Sequence, residues 1–111
     1  MILALKNIVQ NYIYMTMIRK NKNDIIQFRL VELDENDDSI KKVLFESKEY
    51  FPCERYSEPF NTDLYECLLT ANSKYNFADW ENVPPMEFQM RRKEINNWEY
   101  LSDPIDDYMN L

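Results

Sequence analysis

Residues 25–33 read IIQFRLVEL, and this stretch decides the predicted fold. Ile26, Phe28 and Leu30 alternate with polar residues. An apolar residue at every second position is typical of a half-buried strand, because successive side chains of a strand point to opposite faces. The stretch therefore predicts a β-strand with one face turned to the core.

The segment before this strand predicts its partner. Residues 12–19 (YIYMTMIR) are rich in β-branched and aromatic types, which strands favour, and residues 20–24 (KNKND) have the composition of a turn. We therefore predict a hairpin spanning residues 12–33. Apolar residues at helical spacing predict a short helix before it, over residues 2–10.

The segment after the strand leaves two alternatives. Residues 34–39 (DENDDS) form a polar connector, which we interpret as a solvated turn. Residues 40–47 (IKKVLFES) fit a third antiparallel strand, or a helix capped by Ser39. The short length and the neighbouring hairpin favour the strand.

The second half of the chain predicts two helices. Two prolines interrupt the aromatic loop at residues 50–60, and Asn61 is a candidate N-cap for a helix at about residues 62–74. Pro84 and Pro85 suit the start of a second helix at about residues 85–101. Asp103-Pro104 then ends that helix and leaves an acidic tail.

Together these elements predict one α+β domain over residues 1–111. Its antiparallel hairpin or meander, at about residues 12–47, packs against the two C-terminal helices. A chain of this length fits the usual size range of a single domain.

The composition excludes several classes of chemistry. The chain contains no glycine, so a glycine-rich phosphate loop, a dinucleotide fingerprint and a glycine-flanked nucleophile elbow are all absent. It contains no histidine, which excludes Ser-His and Cys-His nucleophile pairs. We therefore predict no catalytic residue, no metal ligand and no cofactor. Left-handed turn positions are expected at Asn or Asp.

The charge balance points to a protein partner with a basic surface. Thirteen basic and twenty acidic residues give a formal net charge of −7. Nucleic-acid affinity rests mainly on Lys and Arg, so we predict no direct nucleic-acid contact. Residues 91–93 (RRK) form a basic cluster, but on a helix these side chains diverge by about 100°. Acidity also keeps a small protein soluble, which is the alternative explanation.

Cellular context is predicted from the cysteines and the N-terminal segment. Cys53 and Cys67 form no CxxC pattern, and no secretory signal is evident, which favours free thiols over a disulfide. Polar residues interrupt residues 1–18, so no membrane span is predicted there. We expect a cytoplasmic protein. The sequence leaves its oligomeric state open.

Two segments supply the predicted partner-binding residues. One is the acidic connector, and the other is the proline-braced aromatic loop, because Tyr and Phe bury much area with few rotatable bonds. The predicted residues are Asp34, Glu35, Asp37, Asp38, Tyr50, Phe51, Glu54, Tyr56 and Glu58. The alternative is that most of these rings fill the core.

Two further patterns resemble metal-binding motifs only in part. Asp34, Asn36 and Asp38 match the first three ligands of a calcium loop, but Ser39 stands where that loop needs glycine, and Phe45 where it needs glutamate. The E-x-K element formed by Glu46 and Lys48, with a carboxylate from residues 34–38, resembles the metal site of a nuclease. A nuclease also needs a basic groove, which this acidic chain does not predict.

These observations predict a non-enzymatic, acidic protein-binding module. Its expected role is that of a small inhibitor, of the immunity-protein, antitoxin or phage anti-defence type, that occupies a basic and possibly nucleic-acid-binding surface. Abundant Asn, Lys, Ile and Tyr suggest an AT-rich genome such as that of a phage or mobile element. The alternatives are a small metal-dependent nuclease-like enzyme and a structural subunit that associates through its apolar N-terminal segment.

Overall fold

The computed structural model describes residues 1–20, 25–52, 58–95 and 97–111, and the side chains of these residues except 17–20. Within them the chain forms helices on an antiparallel sheet of five strands, so the predicted α+β class is confirmed. In chain order the elements are α1 (Ile2–Lys20), β1 (Ile25–Leu33), β2 (Ile40–Glu46), β3 (Phe51–Pro52), α2 (Glu58–Lys74), a 3₁₀ helix (Phe77–Asn82), β4 (Met86–Arg92), β5 (Glu99–Ser102) and α3 (Pro104–Met109).

Strand β1 is the central strand of the sheet, whose order is β2-β1-β4-β5. The short strand β3 pairs with the first residues of β1, where Ile26 lies opposite Phe51. The strand predicted at residues 25–33 is confirmed. In the segment at residues 40–47, Ile40–Glu46 form the strand β2, so the strand alternative is confirmed and the helix capped by Ser39 is wrong.

The core lies between one face of the sheet and the helices. Alternate residues of β1 and β4 point into it, and α1, α2 and α3 each add apolar side chains. Phe28 is fully buried at its centre. Its ring stacks on Phe45 at 5.7 Å between centroids and meets Phe60 edge to face at 5.6 Å. This aromatic group joins β1, β2 and α2.

The predicted strand at residues 12–19 is wrong, because these residues belong to α1. The predicted hairpin over residues 12–33 fails with it, and its expected turn at residues 21–24 lies outside the described residues. Leu5, Val9 and Ile13 follow one another at four-residue spacing, and all three are fully buried. The tertiary contacts of this stripe outweigh the strand propensity of the β-branched residues, which is a weak prior.

The predicted helix at residues 85–101 is also wrong. Residues 86–92 form β4, which pairs with β1 from Glu32↔Met86 to Ile26↔Arg92, and β5 follows it. Met86, Phe88 and Met90 alternate into the core, as expected of a strand. The central position of β1 requires a strand on each side, and β4 supplies the second.

Both remaining helix boundaries differ from the prediction. Helix α2 begins at Glu58, so Asn61 lies inside it and is not its N-cap. Asp103-Pro104 begins a helix rather than ending one, and the predicted acidic tail contains α3. The Asp103 carboxylate accepts hydrogen bonds from the backbone N–H groups of Ile105 (2.9 Å) and Asp106 (3.2 Å). An aspartate N-cap followed by proline at the first helical position is a favourable helix start.

The turn between β1 and β2 shows how a chain without glycine makes a left-handed residue. Asp38 has φ of 59°, a conformation that Asp tolerates better than most residues do. The prediction that Asp or Asn takes such a position is therefore confirmed at this turn.

Among the described helices, none has both the length and the apolar character needed to cross a bilayer.

Cys67 provides a first test of the core. Its side chain is fully buried on α2, and burial raises the pKa of its thiol well above the ordinary value. Because the thiolate is the reactive form, Cys67 is expected not to react with Ellman's reagent in the native protein. In a Cys53→Ser variant, one equivalent of thiol should appear only after denaturation, and fast native labelling would contradict this packing.

Candidate functional site

The acidic connector forms a tight turn whose carboxylates are partly used by the turn itself. The Asp34 carboxylate accepts a hydrogen bond from the Asn36 N–H at 2.8 Å. The Asp37 carboxylate accepts one from the Ser39 hydroxyl at 2.6 Å and one from the Ser39 N–H at 3.0 Å, and these bonds lower the pKa of Asp37. Asp34 and Glu35 line an open cleft of about 300 Å³ that also contains Lys41. The turn is exposed, and hydrogen bonds to the carboxylates of its own aspartates hold its conformation.

The aromatic loop contributes mainly to the core where it is described. Phe51 is 6% exposed and packs against Phe60 at 5.9 Å between ring centroids, so little of its ring is left for a partner. Tyr50 is half-buried, and Glu58 is exposed in the first turn of α2. Glu54 and Tyr56 lie outside the described residues.

The two predicted segments do not form one surface. Phe51 pairs with Ile26 near the start of β1, whereas Asp34 directly follows the end of that strand. Eight residues of strand separate the two positions, which corresponds to about 26 Å. A partner that contacts both must therefore span the length of the sheet.

The residues of the nuclease-like alternative are separated in the same way. The acidic turn precedes β2, and Glu46 ends it, so the strand places about 20 Å between them. Ser47, between Glu46 and Lys48, is buried and bound to β1. Over the residues that the structure describes, no group of three Cys, Asp or Glu side chains is arranged to hold a metal ion.

The structure places a different set of residues around a groove between β2 and α2, which we call the β2–α2 groove. It is open at the surface and runs along the two elements, which have opposite chain directions. Its acidic end is lined by Phe45, Glu46, Lys48, Glu49, Asp63 and Glu66. Its other part shares Phe45 and reaches Lys42 on β2 and Lys74 at the end of α2.

The acidic end measures about 410 Å³ and contains the acids Glu49, Asp63 and Glu66 beside Phe45, with Lys48 at its border. Glu46 also borders it, but Glu46 lies opposite Arg29 in the strand pairing, so its carboxylate is on the other face of the sheet. Asp63 is half-buried, and burial together with the charges of Glu66 and Glu49 raises its pKa above the ordinary value. Among the ion pairs of the described residues, none involves Glu49, Asp63 or Glu66, although Lys48 lines the same part of the groove. Bringing a cation here relieves the mutual repulsion of these carboxylates.

Ser47 fixes the strand end that carries two of these acids. Its N–H donates to the carbonyl of Phe28 at 3.0 Å, and its hydroxyl accepts from the Phe28 N–H at 3.2 Å. The amide of Gln27 donates to the Ser47 carbonyl at 2.6 Å. Because Ser47 is bound to β1 on three atoms, Glu46 and Glu49 flank a rigid point rather than a loose loop.

The middle of the groove is apolar and its far end is basic. A register irregularity in the pairing of β1 with β2 falls at Leu44, and both Leu44 and Phe45 line the groove. Bulges of this kind redirect side chains at sheet edges. Ala71 lines the opposite wall, and the cavity at this point measures about 110 Å³.

Glu32 holds the basic end of the groove in place. Its carboxylate is 4% exposed and accepts a hydrogen bond from the Tyr75 hydroxyl at 2.6 Å. Lys42 lies 3.9 Å and Lys41 3.6 Å from the same carboxylate. The Lys74 ammonium lies 5.4 Å from the Tyr75 ring centroid. Lys42 and Lys74 line the same cavity, and the interaction with Lys42 lowers the pKa of Lys74.

On the opposite face of the sheet, two arginines contact one aromatic ring. The guanidinium groups of Arg29 and Arg91 lie 4.1 Å and 4.5 Å from the centre of the Trp98 ring. Arg92 points to the other face, is 7% exposed, and lies 3.6 Å from the Glu99 carboxylate. The basic cluster at residues 91–93 is therefore divided between two faces, by strand alternation rather than by a helical turn.

The sequence contained a partial signal for the groove. Asp63 and Glu66 are three residues apart, which places both on one side of a helix, and negative charges are also favourable near a helix start. That Asp63 lies near Glu49 follows from the packing of α2 against the sheet, which no local pattern reveals. Comparison of the chain with family models, with curated proteins and with solved structures finds no match.

Proposed function

We propose that this protein is a non-enzymatic, acidic binding module that inhibits a partner protein by occupying its basic surface, as immunity proteins, antitoxins and phage anti-defence proteins do. The observation that carries the proposal is the acidic end of the β2–α2 groove. The Asp63 carboxylate lies near those of Glu66 and Glu49 there, beside Phe45, on elements fixed by the core. Such a fixed negative site suits a Lys or Arg side chain of a partner, with the aromatic ring beside it.

The overall charge supports the same partner class. A net charge of −7 gives the molecule a negative field, which speeds and orients its encounter with a basic surface. Nucleic-acid-binding proteins present such surfaces, so a nucleic-acid-binding enzyme of the cytoplasm is the expected target. In this proposal the protein competes with nucleic acid for the target and does not contact nucleic acid itself.

The test compares charge reversals that differ only in position. Purified wild-type protein is used to capture partners from host lysate at low and high salt, and the captured protein is identified and purified. Its affinity is then measured for Glu49→Lys/Glu66→Lys, which reverses two exposed acids of the groove. The control is Glu81→Lys/Glu94→Lys, which has the same net charge and changes two exposed acids outside it.

We expect the groove variant to weaken binding at least tenfold and the control to stay within about twofold, since close charge pairs at an interface contribute strongly. Binding should also weaken with added salt, because the Debye length is only about 10 Å at 0.1 M. A third variant, Glu35→Lys/Glu58→Lys, tests the two segments predicted from the sequence. The proposal fails if no basic partner is captured at low salt, or if both reversals have equal effects.

A further inference from the structure

The β2–α2 groove has opposite charges at its two ends. The acidic end is lined by carboxylates that include Asp63 and Glu66, whereas the far end contains Lys42 and Lys74. Between them the walls are apolar, with Phe45 common to both parts. Lys41, Lys42 and Lys74 lie near the single carboxylate of Glu32, so the far end keeps a net positive charge. The two charged ends call for a ligand that has opposite charges at matching positions.

The length of the groove sets the length of that ligand. Along β2, the distance from Lys42 to Glu46 is about 13 Å. Along α2, the distance from Asp63 to Lys74 is about 16 Å. An extended chain covers about 3.3–3.6 Å per residue, so four or five residues reach from one end to the other. A small cation or anion would fill only one end.

The edge position of β2 leaves this groove open from the side. Among the strands described, β2 pairs with β1 alone and forms one border of the sheet. Its pairing register shifts at two points, and Lys41 and Lys42 lie on it. Bulges and lysines at an edge disfavour a continuous ladder with a further strand. The affinity for a bound segment must therefore come from its side chains.

From this arrangement we infer that the β2–α2 groove binds an extended segment of about five residues from the partner protein, with Lys or Arg at the acidic end, an apolar side chain over Phe45, and a carboxylate between Lys42 and Lys74. The inference rests on the proposed function, because it names the part of the partner that the acidic end recognises. The basic residue supplies the charge complementarity, and the carboxylate fixes the direction of the segment.

The probe is the blocked peptide Arg-Thr-Leu-Thr-Glu, titrated into ¹⁵N-labelled protein and followed by the amide resonances of β2 and α2. We expect saturable shifts at those residues with a Kd of about 1 mM or below, which is the affinity range of a short segment. Peptides with Glu in place of Arg, with Asn in place of Leu, or with Arg in place of Glu should each bind at least fivefold more weakly.

A matched pair of protein variants locates the binding. Thr70 is exposed on α2 and lines the groove, so Thr70→Trp fills the groove without changing the core. Thr62 is exposed on the same helix and is not a lining residue, so Thr62→Trp is the control. Thr70→Trp should weaken peptide binding at least tenfold, whereas Thr62→Trp should leave it unchanged.

The outcomes separate this inference from the proposed function. The inference of a bound segment is overturned if the peptide gives no saturable shifts at a concentration about five times the expected Kd. It is also overturned if the peptide binds both tryptophan variants equally. The inhibitor role still stands in that case if Glu49→Lys/Glu66→Lys loses the captured partner. If the peptide binds as expected but no basic partner is captured from the lysate, the inhibitor role fails and the groove remains a peptide site.

Discussion

Replacing Phe28 by alanine is expected to lower the free energy of unfolding by about 3–5 kcal/mol, as for other buried Phe→Ala changes. The Phe28 ring is fully buried and contacts two further rings, those of Phe45 and Phe60. Its removal leaves a cavity at the junction of β1, β2 and α2, and it also removes the ring contacts. Since domains of this size have about 5–15 kcal/mol in total, most of the stability is at risk.

Urea unfolding followed by circular dichroism measures this loss. Leu3→Ala is the control, because Leu3 is 57% exposed on α1 and alanine is a good helix former. The control should change the free energy of unfolding by no more than about 0.5 kcal/mol. A Phe28→Ala protein as stable as the control would mean that the aromatic junction does not hold the sheet to α2.

The contrast between β1 and α1 shows which parts of the fold the sequence could reveal. The alternation in residues 25–33 is a local signal that agrees with a central strand, and it predicted β1 correctly. In α1 two local signals disagreed: helical spacing runs through Leu5, Val9 and Ile13, whereas β-branched and aromatic residues follow Tyr12. The helical stripe packs on the sheet, and that contact decided the outcome.

The β4 segment shows the reverse error. Met86, Phe88 and Met90 alternate with polar residues in MEFQMRR (residues 86–92), but the prolines at 84 and 85 favour a helix start, and that signal led to the wrong prediction. Two local signals therefore conflict here, as they do in α1. Pairing along the length of β1 makes residues 86–92 a strand rather than a helix. Pairing between residues some sixty positions apart cannot be derived from a local pattern.

The candidate site depends even more strongly on such distant contacts. The sequence directed attention to acids that cluster along the chain at residues 34–38. The structure instead brings Glu49 from one segment near Asp63 and Glu66 from another. Net charge could be predicted from composition alone, but the location of this acidic cluster required the packing of α2 against the sheet.

Glu32 is expected to be the second large contributor to stability, through its charge rather than its size. Burial on its own raises the pKa of Glu32, but the Tyr75 hydrogen bond and the charges of Lys42 and Lys41 outweigh it, so the net pKa lies below the ordinary value of 4.5. Tyr75→Phe removes the hydroxyl donor and leaves the buried Glu32 carboxylate without this hydrogen bond. We expect this variant to lose about 1.5–3 kcal/mol at neutral pH.

The sign of the pH dependence follows from that lowered pKa. Between the folded and the unfolded pKa the unfolded chain holds more protons at Glu32, so its contribution to stability rises with pH. The contribution is complete above pH 4.5 and is lost as the pH falls through the folded pKa. Asp63, Asp103 and Asp107 act in the opposite direction, because burial raises the pKa of each, and protonation at low pH favours their folded state.

Glu32→Gln separates the contribution of the Glu32 charge from that of these opposing groups. Glutamine keeps the shape of the side chain and still accepts a hydrogen bond from the Tyr75 hydroxyl, but it carries no charge. The wild type should be more stable than Glu32→Gln by a constant amount above roughly pH 6, and this advantage should shrink as the pH falls below 4.5. Urea titrations of both proteins from pH 3 to pH 7 measure it. An advantage that stays constant down to about pH 3, or grows there, would show that the Tyr75 and lysine contacts do not stabilise the Glu32 carboxylate.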